Sequence, residues 1–187
     1  MAIAKKIKQE EGISLPLGNH IALLSGVIHL GVQRNTYNNE ESLKDQILLQ
    51  FELQDELLPN GAPLTVSKTI NNSASGPKSG LVLVGKAFGV DMQNDGLDFE
   101  AQLGKPVLLE IKPQEKDKSK QSVGAVSPLP KVLKGSVKPL VTSPKIYFDV
   151  EEITPTQLEE LPPWIVNIIA KRISEPKENK PSSHDML

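Results

Sequence analysis

The chain contains no cysteine, which excludes disulfides, thiolate metal sites and cysteine nucleophiles together. Histidine is nearly as scarce: the three are His20, His29 and His184, and no two have a metal-ligand spacing such as H-E-x-x-H. Aromatic residues make up 4% of the 187 positions, so few flat faces exist for anything to stack upon. No apolar run approaches the roughly 20 residues needed to cross a bilayer. At the amino end Lys5, Lys6 and Lys8 are followed by Gln9, Glu10 and Glu11 with no apolar stretch after them, which is not the pattern of a secretory signal. A soluble, intracellular protein is expected, with no membrane partner. Charge of one sign is also missing: 21 Lys and Arg stand against 23 Asp and Glu, a formal net charge of -2. Any footprint of a polyanion must therefore be local.

What the chain does contain points to no catalyst. Gly76-Pro77-Lys78-Ser79 resembles the end of a phosphate-binding loop, but the first glycine is missing at its spacing and a proline has no N–H to donate. The neighbours Glu151-Glu152 and Glu159-Glu160 read as solvated faces, since adjacent strand residues point in opposite directions. Asn71-Asn72-Ser73 has the form of a glycosylation acceptor in a chain with no export signal. No catalytic residue, metal or cofactor is expected.

The length suits one domain with appendages. Residues 1 to 17 read as a flexible polar arm. His20 to Gln33 is a long strand candidate interrupted by Gly26 and Gly31, and glycine within a strand marks a bulge or a bend at a barrel corner. Arg34 to Lys44 reads as a polar loop. Gln46 to Leu53 alternates Ile47, Leu49, Phe51 and Leu53 with Leu48, Gln50 and Glu52, a period-two strand. Pro59-Asn60-Gly61 is a turn, and Leu64 to Ile70 a third strand. Leu81 to Phe88 fits a short helix, with Val82 and Val84 leaving strand open, and Phe99 and Leu103 lie in a second short helical segment. Val107 to Lys112 and Val123 to Val126 are further strands, joined by a charged hairpin loop over 113–122. Prolines at 128, 130, 139 and 144 mark an extended connection. Ile146 to Val150 suits a late strand. Trp164, Ile165, Ile168, Ile169 and Ile173 then fall at helical spacing after Pro162-Pro163. The fold class expected is mainly β: an OB-fold five-stranded barrel with a helix between strands 3 and 4 and a C-terminal amphipathic helix. Other five- or six-stranded barrels remain open at this point.

Local charge is uneven. Lys112, Lys116, Lys118, Lys120, Lys131, Lys134, Lys138 and Lys145 face only Glu115 and Asp117 over 112–145. Phosphates attract such a cluster, although a solvated loop would have the same composition. Among the aromatics, Phe51 alternates with core positions, and Trp164 lies on the apolar stripe of the last helix and reads as packing. Tyr37, in a polar segment near Arg34, is the best candidate for stacking on a base. Tyr147 and Phe148 face opposite ways on a strand, so one of the pair is free for a similar role.

Several short stretches together resemble tailed-bacteriophage single-stranded DNA-binding proteins. These are Gly18-Asn19-His20 through Gly26-Val27-Ile28-His29-Leu30-Gly31-Val32-Gln33, then Leu49-Gln50-Phe51-Glu52-Leu53 and Pro63-Leu64-Thr65-Val66-Ser67-Lys68. Leu103-Gly104-Lys105-Pro106-Val107-Leu108-Leu109, Ser127-Pro128-Leu129-Pro130 and Leu161-Pro162-Pro163-Trp164-Ile165 follow in order. The resemblance spans about residues 18 to 175, leaving 176–187 as a flexible tail. It implies an OB-fold and sequence-independent binding of single-stranded DNA in phage replication or recombination, in the cytoplasm of the infected bacterial host, with other phage replication or recombination proteins as partners. Such proteins often end in an acidic tail; here Lys177, Lys180 and His184 mix with Glu178 and Asp185.

On this reading phosphates meet Arg34, Lys44, Lys68, Lys105, Lys112, Lys116, Lys118 and Lys120, and bases stack on Tyr37 and on Tyr147 or Phe148. Two other classes fit the composition. One is a structural phage β-barrel component, which oligomer size would reveal. The other is a protein–protein adaptor working through the isoleucine stripe of the last helix.

Overall fold

A computed structural model of the chain describes residues 14–173. Five strands, β1 (Gly18–Tyr37), β2 (Glu40–Leu57), β3 (Pro63–Asn71), β4 (Pro106–Pro113) and β5 (Gln121–Pro128), pair antiparallel in the order β3-β2-β1-β4-β5. A short β6 (Lys145–Tyr147) runs parallel to β1 opposite Gly26, Val27 and Ile28. Between β3 and β4 lie α1 (Gly80–Ala87) and α2 (Phe99–Gln102). A 3₁₀ turn at Lys131–Ser136, α3 (Pro155–Glu159) and α4 (Pro163–Ala170) belong to the C-terminal third. The molecule is mainly β, with the expected order of strands, the helical segments between β3 and β4 and the last helix; the 3₁₀ turn and α3 are additions to that order. No helix among the described residues is long and apolar enough to cross a membrane. Most of the expected arm and all of the expected tail lie outside the described residues.

The length of β1 depends on its glycines. Its register with β2 shifts between Leu24 and Gly26 and again between His29 and Gly31, and each bulge bends the strand and increases its twist. Gly26 sits so close to β2 that a Cβ there would come within 2.7 Å of Gln50 Oε1. Gly31 has φ +75, a left-handed conformation that costs glycine nothing. The bends carry β1 from β4 at its first residues to a free hairpin with β2 at its last. β3 and β5 end the hydrogen-bonded path. They approach each other without a ladder, and the Lys68 ammonium reaches from β3 to donate to the carbonyls of Val123 (3.4 Å) and Gly124 (2.8 Å) on β5.

Two apolar clusters lie on opposite faces of the β1–β2 pair. The first fills the space between the strands and α1 and α2, around Leu24, Ile47, Leu49, Phe51, Val84, Phe99 and Leu109. This is the alternating face of β2, with Phe51 in the core as expected. The other face is equally dry. Ile28, Leu30 and Leu48 are covered by Val150, Leu161, Ile165 and Ile169, so β2 is buried on both sides at Ile47, Leu48 and Leu49. Removing a buried Phe or Ile costs on the order of 2–5 kcal/mol, so both clusters matter to stability.

On the same face of β2 as Leu48, the cover is latched by a carboxylate. Glu52, 2% exposed on β2, accepts hydrogen bonds from the Val141 N–H (2.9 Å), the Thr142 N–H (3.0 Å) and the Thr142 hydroxyl (2.7 Å). Burial pushes this carboxyl up, but the bonds from Thr142 and Val141 together outweigh it and hold the group below its ordinary value. Nearby the Gln54 side chain donates to the Ser136 carbonyl at 2.6 Å.

Four expectations are corrected. Residues 34–44 are not a loop: β1 and β2 stay paired to Tyr37↔Glu40, and Asn38 and Asn39, with φ 50 and 63, make the two-residue turn. This ladder stands in water on both faces, so it lacks the apolar alternation that reveals a strand. The late strand stops at Tyr147 instead of Val150; Asp149 then turns the chain by accepting from the Glu151 N–H. The last helix ends at Ala170, short of Ile173, whose N–H donates instead to the Val32 carbonyl. Trp164 is not packing: it is 47% exposed, while Ile165 beside it is fully buried.

Candidate nucleic-acid interface

Since β4 is antiparallel to β1 and pairs Ile111 with Gly18, the β4–β5 hairpin leaves the fold at the start of β1. The β1–β2 hairpin leaves at its end. The residues expected to bind therefore form two groups. Lys112 on β4 and Lys116, Lys118 and Lys120 in the hairpin turn are all exposed. Asp117 shapes that turn by accepting from the Ser119 N–H and hydroxyl, and lies 3.6 Å from the Lys120 ammonium. Those bonds from Ser119 hold the Asp117 carboxyl below its ordinary value.

The second group is at the other hairpin. Tyr37 stands 75% exposed beside the turn. Arg34 lies 3.8 Å from Glu41, both well exposed, and Lys44 is exposed opposite Gln33. Lys105 belongs to neither group; it follows α2, and its ammonium donates to Gln102 Oε1 at 3.0 Å. Lys68 is held in the β3–β5 seam. Burial lowers its pKa, the nearby Lys112 charge lowers it further, and Glu110 opposes both.

Tyr147 packs against the second cluster, and its hydroxyl donates to a Glu160 carboxylate oxygen at 2.6 Å. That bond, with burial and the Glu160 charge, pushes the phenol up to about 12. Phe148 is the freer of the pair at 45% exposed. Its ring stacks on His29, with centroids 5.6 Å apart and planes 20° from parallel. His29 in turn meets Asp45 at 2.6 Å.

Beside the β3–β5 seam runs a groove of about 500 Å3. Its walls include Thr65 and Thr69 of β3, Gln114, Gln121 and Ser122 at the base of the β4–β5 hairpin, and Trp164 of α4. Hydroxyls and amides share the lining about equally with the apolar groups of Leu15, Val66, Val123 and Trp164, and Lys68 is the cation present. The groove's aromatic wall is the residue that sequence reasoning assigned to the core. The signal was available: Leu161, Ile165 and Ile169 recur every four residues and define the buried stripe, and Trp164 lies about 100° around the helix from Ile165. The same stripe is spent on β1 and β2, so the isoleucines proposed for an adaptor role pack within the chain itself. No family model matches the sequence, and no curated protein matches it either.

Proposed function

We propose that the protein is a non-catalytic, sequence-independent single-stranded DNA-binding protein whose first five strands form an OB-type barrel. Such barrels are partly open and use the face of strands 2 and 3, with the loops after strands 1 and 4, to hold oligonucleotides. The strand order, the helices between β3 and β4, and the lysine bridge across the β3–β5 seam support the barrel. The observation that carries the functional reading is a groove along β3 that ends at a hairpin bearing Lys112, Lys116, Lys118 and Lys120.

A strand lying in that groove would set its phosphates against these lysines and release counterions, while Tyr37 offers a stacking face at the far hairpin. The role is physical protection of an extended, unpaired strand during phage DNA replication or recombination in the host cytoplasm. Anisotropy titration of a labelled poly-dT oligonucleotide at low and high salt, with duplex as competitor, tests it. Tight, salt-sensitive binding that duplex does not displace is expected; absence of binding at low salt overturns the reading.

A further inference from the structure

Resting on that reading, we infer that Trp164, carried by the C-terminal helix α4, is a base-stacking wall of the DNA groove. The helix holds this ring where the five strands alone have no aromatic to offer. Pro162 and Pro163 set the start of α4, and Ile165 and Ile169, 0% and 3% exposed, bury its stripe against β1 and β2. Its far end is tied by Gln33 Nε2 donating to the Ile168 carbonyl at 3.1 Å and by the Ile173 N–H donating to the Val32 carbonyl at 2.8 Å. A helix fixed in this way presents its first aromatic at a fixed place. That place is the groove, which Trp164 lines together with Thr65, Thr69, Gln121 and Ser122.

The chemistry of these walls selects the part of the nucleotide that enters. An indole face and neutral donors and acceptors suit a base; Lys68 is the one cation among the described residues of these walls, and the further cations for phosphates lie on the β4–β5 hairpin. A volume of about 500 Å3 is within the range of clefts that hold small organic groups, and the groove is open along its length to a strand. Leaving nearly half of a tryptophan in water forgoes burial that aromatic side chains usually supply, whereas an unpaired base recovers it by stacking.

The chain has one tryptophan, so its own emission reports on this wall. The full-length protein is titrated with a dT oligonucleotide while anisotropy of a labelled oligonucleotide is followed in parallel. Quenching of Trp164 that saturates with the anisotropy signal is expected, and duplex of equal length should leave the emission unchanged. Trp164→Ala should weaken binding roughly 5- to 150-fold, Trp164→Phe should restore most of it, and neither should alter the salt slope, because no phosphate contact is lost. Thermal melts of both variants separate a binding loss from unfolding, and the quenching experiment needs no variant. Binding by anisotropy with unchanged tryptophan emission and wild-type affinity of Trp164→Ala would overturn the inference and leave the DNA-binding reading standing. Equal quenching by duplex would also overturn it, since paired bases cannot lie on the ring. No anisotropy change at all would take down both.

Discussion

The two hairpins at the ends of β1 are built from similar ladders and carry opposite charge. In the β1–β2 hairpin Arg34 and Lys44 face Glu40, Glu41 and Asp45, one net negative charge. Over 112–120 the β4–β5 hairpin sets Lys112, Lys116, Lys118 and Lys120 against Glu115 and Asp117, two net positive charges. The exposed aromatic stands on the first, and the second has none. A near-neutral whole-chain charge thus hides two surfaces with separate chemistry. One suits phosphates, the other the face of a base.

The largest expected effect comes from disarming the basic hairpin. Replacing Lys116, Lys118 and Lys120 with glutamine should flatten the slope of log affinity against log salt by about 2 and weaken binding about 100-fold near 0.1 M salt. An unchanged slope would remove this hairpin from the site. Next comes Tyr37→Ala, expected to weaken binding about fivefold, the low end for stacking, with no change in salt slope. A slope change there would mean that the first hairpin acts through charge after all. Smaller still is Glu41→Gln, which frees Arg34 from a pair worth about 0–1 kcal/mol; affinity should rise by less than about fivefold.

The control with the least effect on binding is Glu52→Gln. It lies at neither hairpin, so oligonucleotide affinity at neutral pH should stay at the wild-type value. Loss of a buried charged acceptor that holds three donors of Val141 and Thr142 should cost about 1–3 kcal/mol, read as a fall in Tm of about 2–10 °C. The pH dependence has a definite sign. A carboxyl held below its ordinary value contributes stability above that value and loses the contribution as pH falls through the folded one. Acid melts of the wild type should therefore destabilise below about pH 4.3, and Glu52→Gln should show less of that drop.

Much of this architecture is legible in the residues. The alternation at Ile47, Leu49, Phe51 and Leu53 identifies a core strand, and Gly26 and Gly31 mark the bends of β1 where the register shifts occur. Other parts depend on partners distant in the chain. Glu52 and Leu48 read as the solvent side of β2 because nothing nearby shows that residues 129–173 return to cover them. The hairpin at 34–44 escapes because a ladder wet on both faces needs no apolar period. Its Asn38-Asn39 turn was the remaining cue. The box Thr154–Gln157, which caps α3, is a local signature that a closer reading finds without the fold. Trp164 escapes for a different reason. Helical spacing groups it with the isoleucines, and only the angle around the axis separates it from them.

The cover over β1 and β2 also sets a timetable for synthesis. Ile28, Leu30 and Leu48 leave the ribosome more than a hundred residues before Ile165 and Ile169, the side chains that shield them. Until α4 emerges, the nascent sheet carries an apolar face in water and a β1 edge awaiting β6. A ribosome stalled anywhere between β5 and α4 would present a sticky intermediate, which makes the last helix the element that ends the chain's exposure to aggregation.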